Sequence, residues 1–132
     1  MSAKFETMDE LTHAVIGCAM EVHQVLGPGF MESVYQNALA LEMASAEIDF
    51  EQFIKLHVSY KGRYIGDFVA DMLVDHQLIV ELKSVTALLP QHKAQLVNYL
   101  RATGTETGLL INFGHTALQV KRKFAHYRPK SS

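Results

Sequence analysis

Val69-Ala70-Asp71-Met72-Leu73-Val74-Asp75-His76-Gln77-Leu78-Ile79-Val80-Glu81-Leu82-Lys83-Ser84-Val85 is the stretch on which the fold turns. Two short apolar runs, rich in branched side chains, flank a polar tip at Asp75-His76-Gln77. Bounded runs of this length read as two antiparallel strands joined by a hairpin. Charge interrupts the runs at Asp71, Glu81 and Lys83. Side chains alternate faces along a strand, so Glu81 and Lys83 share one face and Leu82 takes the other. With a three-residue tip centred on His76, position 71 lies opposite position 81. Their Cβ atoms then come within about 4.5–5.5 Å on one face. Two carboxylates at that distance repel unless a proton, a cation or a metal lies between them. Lys83 is such a cation, and an acidic pair beside a lysine can hold a hard divalent metal next to a phosphate. A bulge at the tip would instead turn Asp71 to the wrong face.

A Glu-x-Lys on a strand also suits a solvated face, and Asp71 would serve as an edge charge. The apolar character of both runs argues for burial on two faces. Charges in such strands need partners or a function.

The whole chain of 132 residues has the length of a single domain, 1–132. It is 48% hydrophobic and 20% charged, enough for a core and too apolar for disorder. A net charge of −2, with seven neutral histidines, does not advertise nucleic-acid binding, so any such contact must come from a local patch or a metal. Cys18 stands alone, which excludes a disulfide framework and is compatible with a cytosolic setting. No basic-then-apolar leader and no run of membrane-spanning length is visible, so no membrane partner is expected. Self-association is left open.

Leu11, Val15, Ala19, Val22 and Leu26 recur at helical spacing from about Met8 to Leu26, with Thr7 as cap and Asp9 and Glu10 in the first turn. Gly27-Pro28-Gly29 ends that helix. His23 in its last turn suits the helix dipole. A second helix is expected from about Met31 to Ala46, with Val34, Ala38, Leu41 and Ala44 or Ser45 facing inward. Glu32 and Tyr35 share a side at its start, where a carboxylate also suits the helix N-terminus. Strands follow at Ile48–Gln52, Ile54–Tyr60 and Tyr64–Val74, with a tip at Lys61-Gly62-Arg63 and a bend at Gly66. Pro90 opens a third helix, about Gln91 to Thr103, packing through Ala94, Val97 and Leu100 or Tyr99 and closed by Gly104. Gln95 and Tyr99 share one of its sides. Gly108–Phe113 is an apolar strand expected to run parallel to a neighbour, and Leu118–Phe124 a last one. Lys121, Arg122, Lys123, Arg128 and Lys130 form a basic cluster, and Pro129 to Ser132 read as a tail. The order predicts an α/β architecture, a mixed β-sheet flanked by helices.

These residues resemble a known pattern. Gly29-x-x-Glu32-x-x-Tyr35 looks like the motif for which the GxxExxY protein family is named. Asp71 followed by Glu81-x-Lys83 resembles the core signature of the PD-(D/E)XK nuclease superfamily, to which that family is assigned. Gln95-x-x-x-Tyr99 looks like the helix motif of its RecB-like and exonuclease-like branches. The likeness runs from about Leu11 to Lys123 and implies a restriction-endonuclease-like core, αβββαβ. It departs from the pattern at Ala70, where proline is usual.

By that resemblance Asp71, Glu81 and the Leu82 carbonyl would hold Mg²⁺ or Mn²⁺, with Glu32 ligating directly or through water. Lys83 would assist the attacking water. Gln95 would orient Lys83 or the phosphate. Tyr35 and Tyr99 would touch substrate, and His23 would be a lesser metal candidate. The function implied is metal-dependent hydrolysis of phosphodiester bonds in nucleic acid, DNA first. The absence of a broad basic surface argues against tight binding to long duplex DNA. The alternative is a non-catalytic nucleic-acid-binding or assembly module that retains the fold.

Overall fold

The structure is a computed structural model that describes residues 4–126. Arg128 and Lys130 of the basic cluster, and the tail from Pro129, lie outside the described residues. The elements run α1 (Met8–Leu26), α2 (Glu32–Ser45), β1 (Phe50–Tyr60), β2 (Arg63–Val74), β3 (Leu78–Lys83), α3 (Pro90–Thr103), β4 (Thr107–Asn112) and β5 (Gln119–Phe124). The strands form one sheet in sequence order. The pairs β1–β2, β2–β3 and β4–β5 are antiparallel, and β3–β4 is parallel because α3 carries the chain back across the sheet. The result is the expected mixed sheet with helices on both faces, consistent with a restriction-endonuclease-like fold. No helix among the described residues is long and apolar enough to cross a membrane.

Local chemistry sets the element ends. Thr7 accepts from the Glu10 amide at 3.1 Å while the Glu10 carboxylate accepts from the Thr7 amide at 3.2 Å, a reciprocal cap at the start of α1. Gly104, in the left-handed region at φ 71°, closes α3. The β1–β2 turn is tighter than expected: Tyr60 pairs with Arg63, so Lys61 and Gly62 alone make the tip, at φ 50° and 77°. The β2–β3 tip is the predicted three residues, flanked by the pair Val74↔Leu78.

Two helix faces differ from the sequence reading. Buried residues of α2 are Tyr35, Gln36, Leu39 and Met43, whereas Val34 and Leu41 face out, Leu41 at 72% exposure. The helix carries two apolar stripes. Tyr35, stacked on Phe113 at 4.7 Å between centroids, selects the one that packs. On α3 the buried pair is Leu96 and Leu100, with Ala94 exposed and Val97 only partly covered.

The interior divides in two. Leu78, Val80 and Leu82 of β3 pack with Leu11, Val15, Leu39 and Met43 under α1 and α2. Ile79, Leu110, Phe68 and Ala70 pack with Leu96 and Leu100 under α3. Met72 and Val74 belong to the first core, Ala70 and Phe68 to the second. Four residues of one parity on one strand would share a face, so β2 changes face between Ala70 and Met72. Its partner changes with it. Phe50 packs on the first core and Ile54, Leu56 and Val58 on the second, and between them Phe53 adopts φ 53°. A left-handed aromatic residue inside a strand is rare, and here it is where the alternation breaks. Pairing runs from Gln52↔Met72 to Ile54↔Ala70, so Phe53 stands opposite Asp71. β1 is accordingly one twisted strand rather than two pieces.

Candidate active site

The β2–β3 ladder ends at Met72↔Val80. One step further on, carboxylates replace carbonyls as acceptors. The Asp71 amide donates to the Glu81 carboxylate at 2.8 Å, and the Leu82 amide donates to the Asp71 carboxylate at 2.8 Å. The two acidic side chains are thus clamped side by side across the mouth of the hairpin, each holding the other strand's main chain. Positions 71 and 81 are thus neighbours across the hairpin, linked through their side chains and not as a ladder pair.

Burial makes this arrangement costly. It pushes Glu81 up to about 7, and the neighbouring Asp71 carboxylate adds to the rise. The Asp71 amide and the Lys83 charge work against it, and Glu32 reinforces it. Asp71 is also raised, again chiefly by burial, with the Leu82 amide and Lys83 opposing. Lys83 acts through space. Among the described residues it makes no direct ion pair with either carboxylate.

A narrow crevice runs between β3 and α3, lined by Glu81, Lys83, His92, Gln95 and Tyr99 over Leu96 and Leu110. Gln95 and Tyr99 therefore stand beside Glu81 and Lys83. Tyr99 is half-buried, its ring stacked on Phe68 at 3.8 Å. Glu32 opens onto a different crevice, with Gly29, Phe30, Met31, Ser33 and Ser84. The two crevices meet the chain at adjacent residues, Lys83 and Ser84. The Ser84 hydroxyl donates to the Phe30 carbonyl at 2.5 Å, which anchors the Glu32 loop to the end of β3.

Tyr35 requires correction. It is fully buried and cannot touch substrate. Its hydroxyl donates to the Gly27 carbonyl at 2.5 Å and accepts from the Phe30 amide at 3.1 Å, so it shapes the loop that presents Glu32. His23 bonds the His115 carbonyl at 2.9 Å and ties α1 to the loop after β4. Arg122 of the basic cluster reaches back to Asp9 at 2.6 Å and to the Thr12 hydroxyl, so its charge is engaged by α1.

Several site-building residues escaped the sequence reading. Gln36, 5% exposed, donates to the Asp71 carbonyl at 2.9 Å and to Gln52 at 3.1 Å. Its position four residues after Glu32 on one helix was the available signal. His92 lies three residues before Gln95, on the same side of α3. Asn112 is fully buried. Its amide oxygen accepts from Val85 and Gly114, each at 3.0 Å, and its nitrogen donates to the Val85 carbonyl and to Gln119, each at 2.9 Å. An asparagine closing an apolar strand was the cue. It pins the segment that follows Lys83.

A family model for the PD-(D/E)XK nuclease superfamily matches residues 9–123. The chain belongs to the PD-(D/E)XK nuclease superfamily. Among curated proteins none matches it. Superfamily membership suggests a nuclease and a nucleic-acid substrate, and these nucleases generally use divalent metals. The residues here suit such an ion: two adjacent oxygen donors, one of them held part-protonated near neutrality by burial and a like charge, which a cation would relieve. Among the described residues no three His, Cys, Asp or Glu side chains come together as a metal cluster.

Proposed function

We propose that this chain is a Mg²⁺- or Mn²⁺-dependent nuclease that hydrolyses phosphodiester bonds in DNA. The observation that carries the reading is the reciprocal clamp of Asp71 and Glu81, two carboxylates forced together where burial penalises their charge. Asp71, Glu81 and the Leu82 carbonyl would hold the ion, with Glu32 acting from the adjoining crevice. A divalent ion there supplies Lewis-acid chemistry: it lowers the pKa of water and offsets charge in the transition state.

The chain's own residues do the rest. Lys83 brings a fixed positive charge to the wall of the crevice and stabilises negative charge developing on the phosphoryl oxygens. Gln95 presents an amide beside it to orient the lysine or the phosphate. Tyr99, braced against Phe68, offers a ring edge and a hydroxyl at the rim. Gln36 holds the Asp71 main chain, and Asn112 fixes the exit from β3. Within the superfamily, Gly29, Glu32 and Tyr35 at the start of α2 favour placement with the GxxExxY proteins. The lone Cys18 fits a cytosolic setting.

The test is cleavage of plasmid and oligonucleotide DNA with Mg²⁺, Mn²⁺ or EDTA. We expect metal-dependent nicking by the parent chain and none by Asp71→Asn or Lys83→Ala. A non-catalytic binding module is the second reading, favoured by the absence of a three-residue ligand cluster among the described residues. Mn²⁺ binding without cleavage of any nucleic acid offered would select it.

A further inference from the structure

His92, in the first turn of α3, is half-buried and has one ring nitrogen in use. Its main-chain amide donates to the Leu89 carbonyl at 3.0 Å, and its ring nitrogen Nδ1 accepts from the Leu89 amide at 3.1 Å. A side chain at the third helical position that reaches back to the amide before the helix makes half of a capping box. A ring nitrogen that accepts from an amide carries no proton, so the imidazole N–H stands on Nε2. The cap accounts for Nδ1 and leaves Nε2 without a task.

The same residue lines the crevice of Glu81, Lys83, Gln95 and Tyr99. With Nδ1 turned to Leu89, the ring edge that carries Nε2 is the one left for the crevice. His92, Gln95 and Tyr99 follow at intervals of three and four residues and stand in one row along α3. The outer β1–β2 ribbon braces that row through Phe68, stacked on Tyr99. The loop from Lys83 to α3 is bonded along its length: Asn112 accepts from the Val85 amide, the Thr86 carbonyl accepts from His115 at 2.7 Å, and Gln119 accepts from the Leu88 amide at 3.1 Å. The ring of His92 is therefore fixed relative to Lys83.

Polar side-chain atoms shut away from solvent among the described residues all have partners, as with Gln36 and Asn112. The crevice is different. Among the described residues the Lys83 ammonium, His92 Nε2, the Gln95 amide nitrogen and the Tyr99 hydroxyl have no protein acceptor. Donors left unpaired around one cation, over an apolar floor of Leu96 and Leu110, suit an anion with several oxygens. The crevice encloses about 10 Å³, room for one oxygen-sized group. It takes one oxygen of that anion and leaves the rest at its mouth.

We propose that His92 is a phosphate-binding residue, donating Nε2–H to a phosphoryl oxygen of the nucleic-acid substrate that enters the crevice beside Lys83 and Gln95. The assignment rests on the nuclease reading for the substrate, but the contact is visible without turnover. Cap and contact use two nitrogens of one ring, so the start of α3 sets the tautomer that the phosphate needs.

Heteronuclear NMR of the histidine rings reads both nitrogens in the intact chain, with His92→Asn identifying the signal. The free protein is expected to show Nε2 protonated and Nδ1 bare. Inorganic phosphate, titrated without metal and with Mg²⁺, is expected to move the Nε2–H signal saturably. A free ring protonated on Nδ1, or an Nε2 signal that phosphate moves in neither condition, overturns the proposal. Variants then separate cap from contact. Asparagine sets its oxygen near the place of Nδ1 and has nothing at that of Nε2, whereas glutamine brings an amide nitrogen towards Nε2. His92→Asn is expected to melt as the parent does and to bind phosphate about tenfold more weakly, read at the Gln95 side-chain amide, the size of one hydrogen bond to a charged group. KM for oligonucleotide cleavage is expected to rise by a like factor, and His92→Gln to recover part of both losses. His92→Asn with the parent's phosphate affinity would confine His92 to capping and overturn the proposal. A parent that cleaves DNA while phosphate leaves His92 unmoved keeps the nuclease reading and removes this one. A parent that binds phosphate at His92 yet cuts no nucleic acid keeps the contact and removes the nuclease reading.

Discussion

Gln36 on the second helix donates its side-chain amide to the main-chain carbonyl of Asp71 at 2.9 Å. The same nitrogen reaches Gln52 on the neighbouring strand at 3.1 Å. The bond fixes the strand where it changes face, one atom shell behind the carboxylate pair.

Gln36→Leu removes that donor and leaves the Asp71 carbonyl without it. A buried polar group left unsatisfied costs about 1–3 kcal/mol, and a lost outer-shell contact typically weakens metal affinity by about 10–100-fold. We expect both losses, read by thermal melting and by calorimetric Mn²⁺ titration. A melt lowered with Mn²⁺ affinity unchanged would confine Gln36 to packing.

The raised Glu81 carboxyl has a signed consequence. Its ordinary value is 4.5 and burial carries it to about 7 in the folded chain. Between those values the folded state holds a proton that the unfolded state has released. Stability of the metal-free protein therefore falls as pH rises from about 4.5 to about 7, by an amount on the order of 3 kcal/mol. A cation that binds the ionised pair stabilises more at pH 7.5 than at pH 5. Melts in EDTA and in Mn²⁺ at both values test this, and in Glu81→Gln the slope over that window is expected to flatten.

Asp71→Ala and Asp71→Asn separate charge from hydrogen bonding. Either change relieves repulsion with Glu81. Alanine also leaves the Leu82 amide without the Asp71 oxygen, at about 1–3 kcal/mol, which outweighs the few tenths to about 1 kcal/mol of a cross-strand pair. Asparagine keeps an acceptor. In EDTA at pH 7.5 the melting order expected is Asn above parent above Ala, with both variants losing Mn²⁺ binding. Alanine melting above the parent would show that the Leu82 bond matters little.

Gly114 sits against the backbone that follows Lys83. A Cβ there would lie 2.4 Å from the Val85 carbonyl oxygen and 2.5 Å from its nitrogen. Gly114→Ala must displace Ser84 and Val85, at the 1–3 kcal/mol typical of overpacking or roughly more, and lower turnover by moving Lys83. Gly17→Ala is the control. Gly17 lies exposed within α1 with nothing within 4 Å of the added carbon, so the variant gains up to about 1 kcal/mol of helix propensity. Equal melts for the two variants would contradict the placement of Gly114.

The sequence made some of this legible and hid the rest, for physical reasons. The hairpin pairing was readable because a three-residue tip leaves a single in-phase register once both apolar runs are used. The α1 face was readable because Leu11, Val15, Ala19 and Val22 recur at unbroken helical spacing behind a well-marked cap at Thr7. On α2 two apolar stripes compete, and spacing alone does not say that Tyr35 will stack on Phe113 and leave Leu41 in solvent. The role of Tyr35 was misread for the same reason: a phenol near a carboxylate looks alike whether its hydroxyl meets a substrate or a buried loop. The change of face at Asp71 was invisible, since the backbone of Phe53 is set by tertiary packing and carries no turn residue to announce it.

That change of face leaves the acidic pair standing on the seam between two interiors of unequal size. Sixteen buried residues make up the larger and seven the smaller among those described. Regions with fewer apolar contacts open at lower free energy than the whole. The smaller body, with α3 and the outer ribbon, is therefore the first to open on heating, and it takes one wall of the crevice with it while α1, α2 and the centre of the sheet stay folded. The chain would stop acting on a substrate well before it stops being helical, and the gap between those two temperatures measures how weakly seven residues hold half of a site.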